Sequence, residues 1–161
     1  MDKLKIMIVD DNYLSAEGIE KNIDWETLNA EIIHVCYNGT SAIEAMKKEP
    51  ADLIISDIEM PDLDGISMSR QALEINPMVK IILISAYDKF EYARRALLLG
   101  ALDYIEKPLD YAYLIQKVKN AFALMEKEQK NLQLLKQSRP LLTEKFFREI
   151  THLPSSEAAY R

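Results

Sequence analysis

The chain has 161 residues, 48% of them hydrophobic and 29% charged, and a formal net charge of -6. This length suits one ordinary domain with an appendage, and the composition is typical of a water-soluble globular protein. The acidic balance argues against a nucleic-acid-binding surface spread over the chain, and no apolar stretch reaches the ~18 residues that a membrane-spanning helix needs.

Five short apolar runs are spaced along the chain, and each has the length of a β-strand. They occupy residues 4–9, 31–36, 53–56, 81–84 and 102–106. Continuous isoleucine, valine and leucine is typical of strands that are covered on both faces, as in parallel sheets. Segments of helical length separate the runs, so strand and helix alternate five times. This alternation predicts a doubly wound α/β fold rather than a helical bundle or a β-sandwich.

The helical segments carry apolar residues at mostly helical spacings, which indicates one buried face for each helix. These stripes consist of Leu14, Ile19 and Ile23; Ala42, Ile43 and Met46; Ile66, Met68, Leu73 and Ile75; and Phe90, Ala93, Ala96 and Leu97. Gly100 follows the fourth stripe, where a left-handed helix cap is expected. Trp25 lies in the long connection after the first helix, where we expect it to be a packing anchor.

The fifth helix is predicted to continue beyond the end of an ordinary five-unit domain. Its apolar positions keep a heptad-like spacing at Leu114, Val118, Ala121, Met125, Leu132 and Leu135. Such a seam is typical of a dimeric coiled coil, and one long helix packed partly on its own domain fits the pattern equally well. We therefore expect a domain at 1–125 and, at 126–161, a helical extension with the start of a linker.

Polar side chains end four of the predicted strands. Asp10 and Asp11 follow the first strand, Asp57 the third, Ser85 the fourth and Lys107 the fifth. In an open parallel α/β sheet, the carboxyl ends of the strands share one edge, and ligands bind there. The sequence therefore predicts a pocket that contains three carboxylates, a hydroxyl and an ammonium group.

Three carboxylates in one pocket repel each other by about 4 kcal/mol per pair at ~4 Å and an effective dielectric constant of ~20. Protonation, a basic side chain or a divalent cation must offset this repulsion. A cluster of oxygen ligands suits Mg²⁺, which binds through a few carboxylates and keeps water and phosphate oxygens as its other ligands. Lys107 supplies the compact positive charge that phosphate favours.

These groups suffice for phosphoryl transfer to a carboxylate. Asp57 is the candidate nucleophile, and it would become an acyl phosphate. Asp10 and Asp11 would hold Mg²⁺ against the phosphoryl oxygens, and Lys107 would contact another of these oxygens. The Ser85 hydroxyl would donate a hydrogen bond to the product.

The same residues resemble the receiver domain of two-component response regulators. Asp10-Asp11, Asp57, Ser85 and Lys107-Pro108 occur in that family's order, and Met60-Pro61-Asp62-Leu63-Asp64-Gly65 is similar to its loop after the acceptor. The resemblance covers roughly residues 3–125. It implies a flavodoxin-like receiver fold, with a five-stranded parallel sheet in the strand order 2-1-3-4-5.

The resemblance also implies a role for each acidic residue of the pocket. Asp57 is the phosphoacceptor and a metal ligand. Asp11 binds Mg²⁺ directly, and Asp10 binds it through water. The backbone carbonyl of Glu59 completes the protein's share of the coordination.

Further roles follow from the same resemblance. Ser85 and Lys107 contact the phosphoryl group, and Tyr104 matches the switch aromatic that turns inward as Ser85 moves. The Lys107-Pro108 bond is expected to be cis, against a base rate of ~5% for bonds before proline. Asn12 stands where an acidic residue is frequent, a departure that leaves the metal site intact. Ser85 stands where threonine is more frequent, a tolerated variant.

Residues 24–25, 85–93, 109–110 and 139–142 resemble the subgroup of receivers that precede AraC-type DNA-binding domains. This subgroup implies a sensor histidine kinase as phosphodonor and DNA binding only through an output domain absent from this chain. A homodimer is expected through helix 4, strand 5 and helix 5 or through the C-terminal helix.

The protein is expected to be a phosphoacceptor rather than an enzyme. It is also expected to be cytoplasmic, since a single cysteine, Cys36, fits a reducing compartment.

The sequence leaves two alternatives to the receiver function open. One is a Mg²⁺-dependent phosphohydrolase that uses Asp57 covalently, for which Glu59 offers a second acid two residues on. The acid pair after the first strand and Lys107-Pro108 argue against this enzyme. The other is a phosphate-independent interaction module on the same fold.

Overall fold

The computed structural model describes residues 2–86, 90–100 and 103–137, without the side chains of residues 90, 92, 93 and 99. Within these residues, strand and helix alternate as predicted. In chain order, the elements are β1 (Leu4–Val9), α1 (Tyr13–Asn22), β2 (Ala30–Cys36), α2 (Gly39–Lys48), β3 (Leu53–Asp57), α3 (Gly65–Ile75), β4 (Lys80–Ser85), α4 (Phe90–Leu99), β5 (Asp103–Glu106) and α5 (Tyr111–Gln137). Leu102, residues 87–89 and residues 139–142, on which some predictions depend, lie outside the described residues.

The five strands form one parallel sheet in the order β2-β1-β3-β4-β5, which confirms the predicted topology. Asp52 aligns three of these strands at their amino ends. Its side chain accepts the Lys5 backbone N–H at 2.8 Å, and its own N–H donates to the Lys5 carbonyl at 2.7 Å. Its carbonyl accepts the Lys80 N–H at 3.0 Å. These bonds tie the starts of β1, β3 and β4 together, so their carboxyl ends also lie side by side.

Both faces of the sheet are buried, as the continuous apolar strands predicted. Met7 and Val9 belong to a core cluster on one face, together with residues of α2, α3 and α4. Because side chains alternate along a strand, Ile6 and Ile8 point to the other face. They are fully buried there, as are Ala16 of α1 and Leu114 and Val118 of α5.

Asparagine or aspartate precedes four helices at the carboxyl edge of the sheet. Each side chain accepts a backbone N–H from the first turn of its helix, which is the usual way to satisfy these otherwise unpaired donors. The capping residues are Asn12 for α1, Asn38 for α2, Asp64 for α3 and Asp110 for α5. The loops before α1, α2 and α5 have only two to four residues, whereas seven residues separate β3 from α3.

Among the described side chains, two members of the stripes predicted for the first four helices are strongly exposed. Leu14 is 79% exposed and Leu97 is 67% exposed, whereas Ile19 and Ala96 are buried. At ~100° per residue, Leu14 lies ~140° around the helix from Ile19, and Leu97 lies ~100° from Ala96. Assigning them to the buried faces was therefore wrong.

Two expectations about connections are confirmed. Trp25 is 7% exposed, as expected for a packing anchor. Gly100 follows α4 with a φ of 96°, the left-handed conformation of a helix cap.

The chain divides after Ala121, within α5. In the part of α5 beyond this point, Leu132, Leu134 and Leu135 are 47%, 60% and 54% exposed. The coiled coil and the domain boundary at 125 stay predictions. Among the described residues, no helix combines the length and the apolar character needed to cross a bilayer.

Candidate functional site

The strand register brings Asp10 and Asp57 together at the carboxyl edge of the sheet. Val9 of β1 pairs with Ser56 of β3, so the residues that follow them, Asp10 and Asp57, emerge side by side. Both are almost completely buried, with exposures of 2% and 6%. The edge predicted from the strand ends is therefore present in the structure.

Backbone hydrogen bonds hold Asp10 in a defined orientation. Its N–H donates to the Cys36 carbonyl at 3.0 Å, which extends the pairing of β1 with β2 by one residue. Its Oδ1 accepts the Asn12 N–H at 2.9 Å. Because Asn12 also caps α1, the position of this helix is linked to the orientation of the Asp10 carboxylate.

Asp57 is held mainly by the backbone that follows it. Its Oδ1 accepts the Ile58 N–H at 3.0 Å, and this N–H also donates to the Ile84 carbonyl at 2.9 Å. Gly65 closes the loop by donating its N–H to the Ile58 carbonyl at 2.8 Å. A Cβ at position 65 would overlap the Asp57 carbonyl oxygen and lie 2.9 Å from Ile58 Cα. Only glycine allows the loop to fold back so closely on Asp57.

Asp11 completes a cluster of three carboxylates. One oxygen from each of Asp10, Asp11 and Asp57 lies within 4.8 Å of the others, and Asp11 is the exposed member. Burial and, to a smaller extent, the negative charge of Asp10 raise the pKa of Asp57 to about 7. Burial also raises the pKa of Asp10, while the hydrogen bond from Asn12 opposes this change. The cluster thus concentrates negative charge where water compensates it poorly.

Lys107 brings positive charge to the cluster from the end of β5. Its Nζ lies 3.6 Å from Asp10 Oδ2 and 3.8 Å from Asp57 Oδ1. Its positive charge opposes the increase in the pKa of both carboxyl groups. The Lys107 backbone N–H donates to the Ser85 carbonyl at 2.7 Å. The bond between Lys107 and Pro108 is cis, as predicted.

One ammonium group does not balance three carboxylates when all are ionised. The donors in the cluster are carboxylate oxygens, two of them buried, and such ligands suit a small divalent cation. Asp10, Asp11 and Asp57 therefore fit the predicted Mg²⁺ ion in donor type and spacing. Glu59 follows two residues after Asp57, in the loop beyond β3.

Ser85 and Tyr104 lie on neighbouring strands next to this cluster. Ser85 ends β4 and is fully buried. Tyr104 of β5 pairs with Leu83, two residues before Ser85, so the two side chains project from the same face of the sheet. Tyr104 is partly buried and packs against the core cluster. Ser85 and Tyr104 are therefore diagonal neighbours on this face.

A groove of about 370 Å³ opens beside the cluster. Asp10 and Lys107 line it at the cluster, Leu14 and Ser15 of α1 line one wall, and Tyr111 of α5 contributes to its lining as well. This placement accounts for the exposure of Leu14.

The sequence prediction missed Gly18 and Tyr111, which face each other across α1 and α5. An isolated glycine within a helical segment was the available signal, since glycine weakens a helix interior unless a close contact requires it. Nothing comparable marks Tyr111. The site roles of Asp10, Asp11, Asp57, Glu59, Ser85, Tyr104 and Lys107 remain predictions, and the structure shows their positions.

Comparison with protein families gives a match to the response regulator receiver domain over residues 6–119. Among curated proteins, the chain is similar to the uncharacterized transcriptional regulatory protein YesN of Bacillus subtilis. The two are 29% identical over 124 residues, which cover 77% of this chain and 34% of YesN. The chain thus spans about a third of the length of this relative.

Solved structures agree with this match. The REC domain of AraT, a response regulator from Geobacillus stearothermophilus, is 34% identical, with a TM-score of 0.74 over 78% of this chain and 98% of that one. A two component transcriptional regulator AraC from Clostridium phytofermentans is 31% identical, with a TM-score of 0.74 over 79% of this chain and 98% of that one.

Proposed function

Because the chain belongs to the response regulator receiver domain family, we propose that Asp57 accepts a phosphoryl group from a sensor histidine kinase and that phosphorylation switches a surface controlling transcription. The observation that carries this proposal is the surroundings of Asp57. Its buried carboxylate lies beside Asp10, Asp11 and Lys107, at the open carboxyl edge of the sheet. A nucleophile, a cation site and a charge that binds phosphate therefore occur together.

The transfer would begin when a carboxylate oxygen of Asp57 attacks the phosphorus of a phosphohistidine. The bond from phosphorus to the imidazole nitrogen breaks, the imidazole leaves with the electron pair, and an acyl phosphate forms on Asp57. Only the ionised carboxylate attacks, and burial with the nearby Asp10 charge raises its pKa to about 7. Lys107 opposes this increase and so keeps a larger fraction of Asp57 ionised.

Asp10, Asp11 and Asp57, with the backbone carbonyl of Glu59, would hold Mg²⁺ in this site. When bound, the ion would neutralise charge on the carboxylates and on the phosphoryl oxygens. The compact cluster of oxygen donors supports this assignment. The Asn12 N–H already occupies Asp10 Oδ1, which fits a role for Asp10 through water.

The switch would be a shift in population between two conformations. Ser85 would move to donate its hydroxyl hydrogen to the phosphoryl group, and Tyr104 would turn into the space next to it. Their placement on the same face of β4 and β5 supports this coupling. The changed surface would comprise α4, β5 and α5.

Similarity to a transcriptional regulator and to a protein described as AraC suggests the output. We infer that the chain is the receiver part of a longer transcriptional regulator with an AraC-type DNA-binding domain. The similarity of residues 24–25 and 109–110 to receivers of that subgroup supports this inference. DNA would bind only to the output domain, and the receiver would control its activity.

A second copy of the chain is the partner that we propose for the end of α5. Leu132 and Leu135 continue the heptad spacing of this helix, and both are about half exposed in the single chain. Exposed leucines at these positions are typical of a coiled-coil seam. The surface formed by α4, β5 and α5 is the alternative contact between two copies.

Mass spectrometry after incubation with acetyl phosphate and Mg²⁺ tests the phosphoacceptor. The wild type is expected to gain one phosphoryl group, and Asp57→Asn none. Asp62→Asn, a change of an exposed aspartate in the adjacent loop, serves as the matched control and is expected to behave as wild type. No phosphoryl group, two groups, or one group that survives in Asp57→Asn would contradict the proposal.

A further inference from the structure

The groove beside the cluster contains a close contact that phosphoryl transfer does not itself require. Gly18 lies within α1, opposite the side chain of Tyr111, the first residue of α5. A Cβ built on Gly18 would approach the Tyr111 hydroxyl oxygen to well under 3.0 Å, a separation that real Cβ atoms essentially never show. The next neighbours, Tyr111 Cζ and Asn22 Nδ2, would lie at ordinary distances of 3.6 and 3.7 Å. One oxygen atom therefore accounts for the need for glycine.

The two helices in this contact carry opposite sides of the phosphoryl-transfer site. The cap of α1, Asn12, donates its N–H to Asp10 Oδ1 at 2.9 Å. Shortly before α5, Lys107 places its Nζ 3.6 Å from Asp10 Oδ2. Asp10, Lys107 and Tyr111 all line the same groove. The separation of α1 and α5 at Gly18 is thus linked to the separation of Asp10 and Lys107.

We propose that Tyr111, whose side chain packs against Gly18, is a positioning residue that fixes the location of Lys107 relative to Asp10 and Asp57. This inference rests on the proposed phosphorylation of Asp57, since the position of Lys107 matters only if that group reacts. This role requires no contact of Tyr111 with a phosphoryl group or a metal ion. It acts by fixing how closely the start of α5 approaches α1.

Rates of Asp57 phosphorylation by acetyl phosphate with Mg²⁺ test the inference. Gly18→Ala adds one methyl group against the Tyr111 hydroxyl, and we expect a roughly tenfold lower rate, since a ~1 Å misplacement can cost up to ~100-fold. Tyr111→Phe removes the oxygen that fixes the separation of α1 and α5 at Gly18, and it is expected to lower the rate less than Gly18→Ala does. The double variant is expected to recover the wild-type rate. Glu20→Ala, at an exposed position of α1, is the matched control and should change nothing.

Thermal unfolding of the same variants separates positioning from helix stability. Alanine is the better helix former, so Gly18→Ala should raise the melting temperature when Phe replaces Tyr111, and raise it less or lower it when Tyr111 is present. An unchanged rate in Gly18→Ala, or a reduced rate that Tyr111→Phe does not restore, would overturn the inference. If the wild type does not gain a phosphoryl group at Asp57, the proposed function fails instead, and the unfolding data still report whether the contact exists.

Discussion

The side chains of Lys107 and Asp57 approach each other across β4, a strand that contains neither residue. Asp57 ends β3 and Lys107 follows β5, with β4 between these strands, yet Lys107 Nζ lies 3.8 Å from Asp57 Oδ1. The Lys107 backbone is anchored to β4 by its bond to the Ser85 carbonyl. The lysine therefore spans the edge of the sheet, and its charge is the largest influence that lowers the pKa of Asp57.

Replacing Lys107 should slow phosphorylation far more than it changes stability. Lys107→Met removes the charge that lowers the pKa of Asp57 and that would contact the phosphoryl oxygens. We expect the rate with acetyl phosphate to fall about a hundredfold, as when one preorganised electrostatic group is removed from an enzyme site. Lys119→Met, at an exposed lysine of α5, is the control. Equal rates in both variants would rule out this role for Lys107.

The contribution of Asp57 to the stability of the metal-free protein should decrease as the pH rises from about 4 to about 7. The pKa of Asp57 is raised from 3.8 to about 7 by folding, so the folded protein keeps a proton that the unfolded chain releases. The contribution of Asp57 to the free energy of unfolding is then highest below the unfolded pKa, and it falls by ~1.4 kcal/mol per pH unit while the two states differ in protonation at this group.

Asp57→Asn removes this titration and provides the measurement. Urea unfolding in EDTA should show Asp57→Asn to be more stable than wild type at pH 8, with the difference nearly lost at pH 4. Mg²⁺ should stabilise the wild type at pH 8, because it binds the folded state. A difference between the two proteins that stays constant with pH would contradict the assignment.

Gly65→Ala should impair both folding and phosphorylation. The added Cβ would meet the backbone of Asp57 and Ile58, which no side-chain rotation can relieve. We expect a loss of about 1–3 kcal/mol in urea unfolding, together with slower phosphorylation. Gly100→Ala is the comparison, since its φ is 96° but no atom lies within 4 Å of the added Cβ. It should lose stability by backbone strain while keeping the wild-type rate of phosphorylation.

Ser85→Ala should separate phosphorylation from switching. Asp57 remains intact, so mass spectrometry should still detect the acyl phosphate. The change in ¹H–¹⁵N chemical shifts at Tyr104 and Glu106 on phosphorylation should be reduced, because the hydroxyl that would move toward the phosphoryl group is absent. Ser69→Ala replaces another buried serine, in α3, and should show the full change. Full shift changes in Ser85→Ala would contradict the proposed route.

Leu132→Glu combined with Leu135→Glu should reduce self-association. Charged residues at both seam positions oppose the burial on which a coiled coil depends. Sedimentation velocity over a range of concentrations should detect a dimer in the wild type that the double variant loses. Gln133→Glu adds charge between these positions and should leave the dimer intact. A wild type that is monomeric at every concentration would exclude the seam.

Much of the fold followed from local patterns. Continuous apolar runs such as that before Asp57 predicted covered parallel strands, and the residues that end them predicted the acidic edge. The prediction of which apolar helix residues are buried was less reliable, because Leu14 and Leu97 are apolar but lie off the buried faces of their helices. Local spacing identifies a helix well, whereas the rotation of each residue toward the sheet depends on what packs against it.

The sequence alone determined which chemical groups are available, and their order at the strand ends suggested phosphoryl transfer. Only the tertiary structure decided the distances and the environment. The pairing of Val9 with Ser56 sets Asp10 beside Asp57. The burial of these two side chains raises the pKa of both carboxyl groups. The contact of Gly18 with Tyr111 also appeared only in three dimensions, since these residues are distant in the chain. Strand register and helix packing are long-range properties, and no local sequence pattern encodes them.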